Sequence, residues 1–124
     1  MASRRLLALP VLVAALAVGA CGSEGIQLSE DDPMSEGARL FDENCAGCHS
    51  LDVAGAYGSA TDVGSRERRD GPNFNERQET VEDVLYAIRN GGFSSQPMPQ
   101  NILTGEDAQK VAEFVAKYSG GGGG

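Results

Sequence analysis

Cys45, Cys48 and His49 stand in one run, Cys45-Ala46-Gly47-Cys48-His49. Two thiols three positions apart on a helical turn can each add to a vinyl group of the same porphyrin. A His directly after the second Cys then lies under the iron and can bind it as the proximal ligand. Ala46 and Gly47 are small, so a macrocycle can approach the backbone closely. Other chemistries suit the run less well. Zinc needs four nitrogen or sulfur ligands in a tetrahedron, and the chain has one His and three Cys, of which Cys21 has another use. A thioredoxin-like pair belongs beside a strand-helix-strand alternation, which is not found in this sequence. A disulfide between Cys45 and Cys48 would close a very small loop and leave His49 unexplained.

The elements that must position this run follow from spacing. A chain of 124 residues has room for one domain. Ser35 is the expected N-cap of a first helix, with Glu36 in its first turn. Gly37, Leu40, Phe41 and Asn44 or Cys45 follow at helical spacing and carry the helix into the haem motif. A Gly inside a helix costs about 1 kcal/mol against Ala; Gly37 signals close approach by another element or is incidental. Asp52 to Asp70 reads as loop, with Gly55, Gly58 and Gly64 among Ser, Thr and Asp. Within it Arg66-Glu67-Arg68-Arg69 is a basic island that can pair with haem propionates or remain a solvated loop.

Gly71-Pro72-Asn73 marks a turn. A second helix opens at Thr80-x-x-Asp83, which resembles a capping box. Val81, Val84, Leu85 and Ile88 form its apolar stripe, and Gly91 ends it in the left-handed conformation. Pro97-Met98-Pro99 is a stiff extended loop. A third helix opens at Thr104, with Asp107 at N3 and Leu103 and Ala108 placed as a hydrophobic staple. Its stripe is Ala108, Val111, Ala112 and Val115, widened by Phe114 and Tyr118. Gly120 to Gly124 is a flexible tail with no expected role. No strand alternation is found.

With these elements placed, the sequence resembles a small bacterial monohaem class I cytochrome c over about Ser35 to Tyr118. The resemblance rests on the Gly37, Phe41, Cys45 spacing, the Cys45–His49 run, Gly71-Pro72, Pro97-Met98-Pro99 and Phe114. It implies an all-α fold, about three main helices and loops wrapped around one haem held by two thioethers, in a domain spanning residues 35–119. It implies a crossing of the terminal helices at Gly37. It also implies that the Pro72 carbonyl accepts a hydrogen bond from the proximal His49. The residues alone leave Pro72 equally open as a turn proline. Met98 is implied as the distal ligand. The inventory points the same way: a second His is not present, Met1 is removed with the leader, Met34 precedes the first helix, and the prolines around Met98 lower the entropy lost on fixing its thioether. A gap-filling Met with an open sixth position is the alternative.

Residues 1–20 read as a secretory signal, with Arg4 and Arg5 before an apolar run that Pro10 interrupts and that is too short to span a membrane. Val18-Gly19-Ala20-Cys21 resembles a bacterial lipobox, which implies cleavage before Cys21 and its lipidation. The acidic stretch from Cys21 to Met34 is then a flexible linker from the anchor. The expected location is outside the cytoplasm, at the outer face of the cytoplasmic membrane or in the periplasm, where a bare Cys pair would tend to oxidise. The net charge is −8, and loss of Arg4 and Arg5 makes it more negative still. That excludes nucleic acid as a partner and suits steering toward a basic surface, or solubility alone.

The expected function is electron transfer between redox proteins such as an oxidase, a dehydrogenase or a quinol-oxidising complex, with no enzymatic activity. The alternatives are a haem enzyme or a gas or peroxide sensor with an open sixth site, or a fixed subunit of a larger respiratory complex. Aromatic residues make up only 6% of the chain. A domain this small is marginal without a staple, so the apo chain is expected to fold poorly.

Overall fold

The computed structural model describes residues 25–93 and 97–121. The expected signal, the Cys21 anchor and residues 122–124 of the tail lie outside them. Three helices stand among the described residues: α1 (Ser35–Asn44), α2 (Val81–Asn90) and α3 (Gly105–Tyr118).

Each helix forms where its apolar stripe can be buried, and the ends are set by local chemistry. At α1 the expectation is corrected: Met34, not Ser35, is the N-cap, and Ser35 is the first helical residue. The Asp32 carboxylate accepts from the Met34 amide at 2.7 Å, while the Ser35 hydroxyl donates to the Glu30 carbonyl at 3.1 Å. The aspartate turn upstream fixes the entry to the helix, and no side chain caps its first amides. Thr80 caps α2 by accepting from the Asp83 amide at 3.1 Å, and its hydroxyl donates to the Asp83 carboxylate at 2.8 Å. Gly91 closes α2 at φ 73°. Thr104 occupies the N-cap of α3, but its side chain makes no capping bond.

Residues 52–70 are not all loop. β1 (Ser50–Leu51) pairs antiparallel with β2 (Ala56–Tyr57), Ser50 opposite Tyr57 and Leu51 opposite Ala56. A 3₁₀ turn, Asp52–Ala54, joins them and ends on Gly55 at φ 64°. Strands of two residues are too short to show an alternation, which is why the sequence does not reveal them. A second 3₁₀ turn, Val63–Ser65, is capped by Asp62.

The described part of the expected linker is bound to the fold. The Gln27 amide donates to the Val53 carbonyl at 2.9 Å, and Ile26, Leu28 and Met34 pack against the core.

The core lies where α1 and α2 both pack on α3. Phe41 and Phe114 meet there with ring centroids 5.9 Å apart, both almost wholly buried. Gly37 is the crossing point of α1 and α3. A Cβ at Gly37 would lie 2.6 Å from the Lys110 carbonyl oxygen and 2.7 Å from Phe114 Cβ. One of these obstacles is backbone, so the helices would have to part. Gly37→Ala is therefore expected to destabilise the holoprotein by about 1–3 kcal/mol, the usual range for overpacking. Guanidinium unfolding of the two proteins checks this, with an unchanged midpoint as the contrary result.

Candidate haem-binding site

The Cys45–His49 run is a turn continuing from α1. The Cys45 and Ala46 amides both donate to the Phe41 carbonyl, at 2.7 and 3.1 Å, and the Cys48 and His49 amides donate to the Cys45 carbonyl, at 3.1 and 3.0 Å. The β1–β2 hairpin backs this turn. A Cβ at Gly58 would lie 2.6 Å from the Cys48 nitrogen, so only glycine lets the hairpin seat there. A Cβ at Gly47 would meet nothing within 4 Å, so the protein leaves that side of the turn clear. Both cysteines are free thiols, Cys45 buried and Cys48 half-buried. Desolvation, with Cys48 adding a smaller contribution, pushes the Cys45 thiol up to about 12.

The residues after the next turn run alongside the motif. The Gly71 amide donates to the Cys48 carbonyl at 2.7 Å and the Phe74 amide to the Ser50 carbonyl at 2.9 Å. This pairing carries Pro72 to the His49 ring. His49 Nδ1 donates to the Pro72 carbonyl at 3.1 Å. A carbonyl only accepts, so Nδ1 carries the proton and Nε2 keeps its lone pair. Desolvation, reinforced by the Arg77 charge and opposed by the Pro72 bond, holds His49 below its ordinary value and favours the neutral ring. Two further residues fix the imidazole: Phe74, which the sequence does not single out, and Gly71, which it marks only as part of a turn beside Pro72. Phe74 stacks on it, with centroids 4.7 Å apart and planes within 7°. Gly71 lies against it: a Cβ there would come within 2.6 Å of Nδ1 and 2.8 Å of Nε2.

The Met98 loop is held from α2. A Cβ at Gly91 would sit 2.7 Å from the Met98 carbonyl oxygen, and the Asn101 amide donates to the Ile88 carbonyl at 2.7 Å. Gly91 thus has a second reason to be glycine besides its positive φ. Met98 is half-buried against the core.

Cys45, Cys48, His49, Pro72 and Met98 line one cavity of about 690 Å³, within the usual range for a cofactor pocket. Val84, Ile88, Val111 and Val115 give it apolar walls from α2 and α3. Arg66, Arg68, Arg69 and Arg77 also line it. The basic island is therefore on the cavity, not out on a remote loop. An apolar lining with guanidinium groups fits a flat macrocycle that carries two carboxylates, and the paired thiols and the neutral imidazole supply the donors a c-type haem needs.

The chain matches the cytochrome c family model over residues 34–119. It belongs to the cytochrome c family. Its fold is that of a class I cytochrome c, and the family implies a covalently bound haem c and a redox partner in electron transfer. Among solved structures it is similar to the c-type cytochrome SorU from Sinorhizobium meliloti. That likeness has 34% identity, covers 70% of this chain and 91% of that one, and has a TM-score of 0.54. No curated protein matches the chain.

One wall of this cytochrome's cavity holds a buried acid. Glu79 is only 6% exposed, and its Oε1 lies 2.6 Å from Arg77 Nε without making an aligned hydrogen bond. Desolvation raises its carboxyl above the ordinary 4.5, Arg77 opposes this and Asp83 adds to it. A folded-state value above the unfolded one means that the relative stability present at low pH is lost as pH rises from about 4.5 through the folded value. Unfolding midpoints of the wild-type holoprotein are thus expected to fall relative to those of Glu79→Gln as pH is raised from 4 toward 7. Parallel curves would contradict the assignment.

Proposed function

We propose that the protein carries single electrons in the cell envelope through one haem c, joined by thioethers to Cys45 and Cys48 and ligated by His49 and Met98. The observation that carries this reading is the state of His49. Its Nδ1 is committed to Pro72, its Nε2 is free as a donor, and Met98 lines the same cavity. When bound, haem supplies a one-electron iron couple. The chain does the remainder. The two cysteines prevent loss of the cofactor. The Pro72 carbonyl fixes the His49 tautomer and makes Nε2 a stronger donor. Met98 would supply the second protein ligand, and His/Met ligation would favour a high reduction potential. The arginines on the cavity wall would pair with the carboxylates of the macrocycle.

With His49 and Met98 both bound to it, the haem would exchange electrons and would make or break no substrate bonds, which supports a carrier over an enzyme. The absence of a second His from the sequence removes the usual acid–base partner of a peroxide-using haem site. Export and lipidation at Cys21 extend the proposal: a carrier tethered outside the cytoplasm that meets an oxidase, a dehydrogenase or a quinol-oxidising complex, or stays with one of them as a subunit.

Denatured holoprotein is expected to keep its colour through acid-acetone extraction. Oxidised native protein is expected to show the weak far-red methionine-to-iron band, and Met98→Ala to lose it. A five-coordinate, high-spin wild type would favour a sensor or an enzyme instead. Mass spectrometry of the mature N-terminus is expected to find a lipid-modified Cys21; an unmodified Cys21 or an intact leader would remove the tether.

A further inference from the structure

The tautomer and height of a proximal histidine are governed by the bond to its second nitrogen. The His49–Pro72 bond lies off the axis that points at the metal, so it also restrains rotation of the ring plane, but only from one edge of the ring. Phe74 adds a hold over the ring face. Its ring lies against the His49 imidazole nearly parallel, with centroids 4.7 Å apart. The Phe74 ring is itself a fixed plate. Its amide donates to the Ser50 carbonyl at 2.9 Å, and its carbonyl accepts from the Gly120 amide at 2.8 Å. Its ring meets Phe41 in an edge arrangement, with centroids 6.1 Å apart. Three separate parts of the fold, β1, the turn that follows α3 (Ser119–Gly121) and α1, therefore hold one aromatic face against the imidazole. Gly71 leaves no slack, because its backbone lies too close to the ring to accept even a Cβ.

We propose that Phe74 is a positioning residue for the proximal ligand: by stacking on His49 it sets the rotation of the imidazole plane over the porphyrin nitrogens. This rests on the reading that His49 binds the iron. The plane of an axial imidazole separates the two iron orbitals of π symmetry, and so, together with the thioether opposite, sets which porphyrin axis carries the unpaired spin in the oxidised protein. Axial-ligand geometry is one of the levers a protein has on its haem. The chemistry asks for a flat face at position 74. An aliphatic side chain could fill the space but would hold the imidazole plane only through the Pro72 bond and Gly71.

The test uses the holoprotein as wild type, Phe74→Leu and Phe74→Tyr. Proton NMR of the oxidised forms reads the spread of the four haem-methyl shifts, and low-temperature electron paramagnetic resonance reads the g values. In Phe74→Leu the methyl spread is expected to change and the largest g value to shift or broaden. Phe74→Tyr, which keeps the flat face, is expected to hold the wild-type pattern. The far-red methionine band, recorded on the same samples, is expected in all three, since no ligand is touched. Phe74→Leu with wild-type methyl shifts and g values would overturn the proposal while leaving His49 ligation intact. If Phe74→Leu does not fold, the reduced wild type decides: nuclear Overhauser contacts between the Phe74 ring and the His49 ring protons are expected, and their absence overturns the stacking. A reduced wild type without ring-current-shifted His49 protons would remove the ligation itself, and the positioning claim with it.

Discussion

The site depends on a short stretch of backbone pairing. Residues 71–74 lie along residues 48–50, tied at one end by the Gly71 amide to Cys48 and at the other by the Phe74 amide to Ser50. Everything that defines the state of His49 arrives through that pairing. Pro72 lands where its carbonyl takes the Nδ1 proton, Gly71 where its backbone touches the ring, and Phe74 where its ring can stack. Moving this segment by one residue would replace the acceptor with an amide and the plate with a polar side chain. The helices, by comparison, supply the walls. They bury apolar area at roughly 25 cal/mol per Å² and are tolerant of small shifts, which a single hydrogen bond to an imidazole is not.

The charge pattern follows from the same cavity. The chain is acidic overall, yet four arginines line one pocket. Placed near haem carboxylates, such groups form strong bidentate pairs, and they favour whichever iron state carries less positive charge. Glu79 works against this locally. Its carboxylate is buried beside Arg77 and offsets part of that cation's field. The pocket is therefore not basic on balance: Glu67, Asp70, Glu79 and Asp83 line it beside the four arginines, and Arg69 is paired with Glu67.

Much of this was legible in the sequence, and for identifiable reasons. The Cys45–His49 run is readable because covalent chemistry fixes both residue types and spacing. The stripes on α2 and α3 are readable because a helix that packs on one face must repeat its apolar residues. Gly37 is half-readable: its type says that something comes close, and only the coordinates name Lys110 and Phe114. The hairpin was not readable, since two residues cannot display a period of two. Phe74 was not readable as a neighbour of His49, because its position follows from pairing between segments more than 20 residues apart in sequence. The Ser35 cap failed because the helix begins one residue earlier, at the end of an aspartate turn, and the Ser35 hydroxyl is turned back to the Glu30 carbonyl.

The burial of Cys45 bears on how such a molecule comes into being. In the folded chain Cys45 is 9% exposed, and its thiol holds its proton far above neutral pH. A thiol in that condition is a poor nucleophile. Were the sulfur to become a thioether, bond formation would be favoured in the open polypeptide, where water restores its acidity, over the closed one. The burial that makes Cys45 part of the core therefore makes it a slow partner for chemistry once the chain has closed.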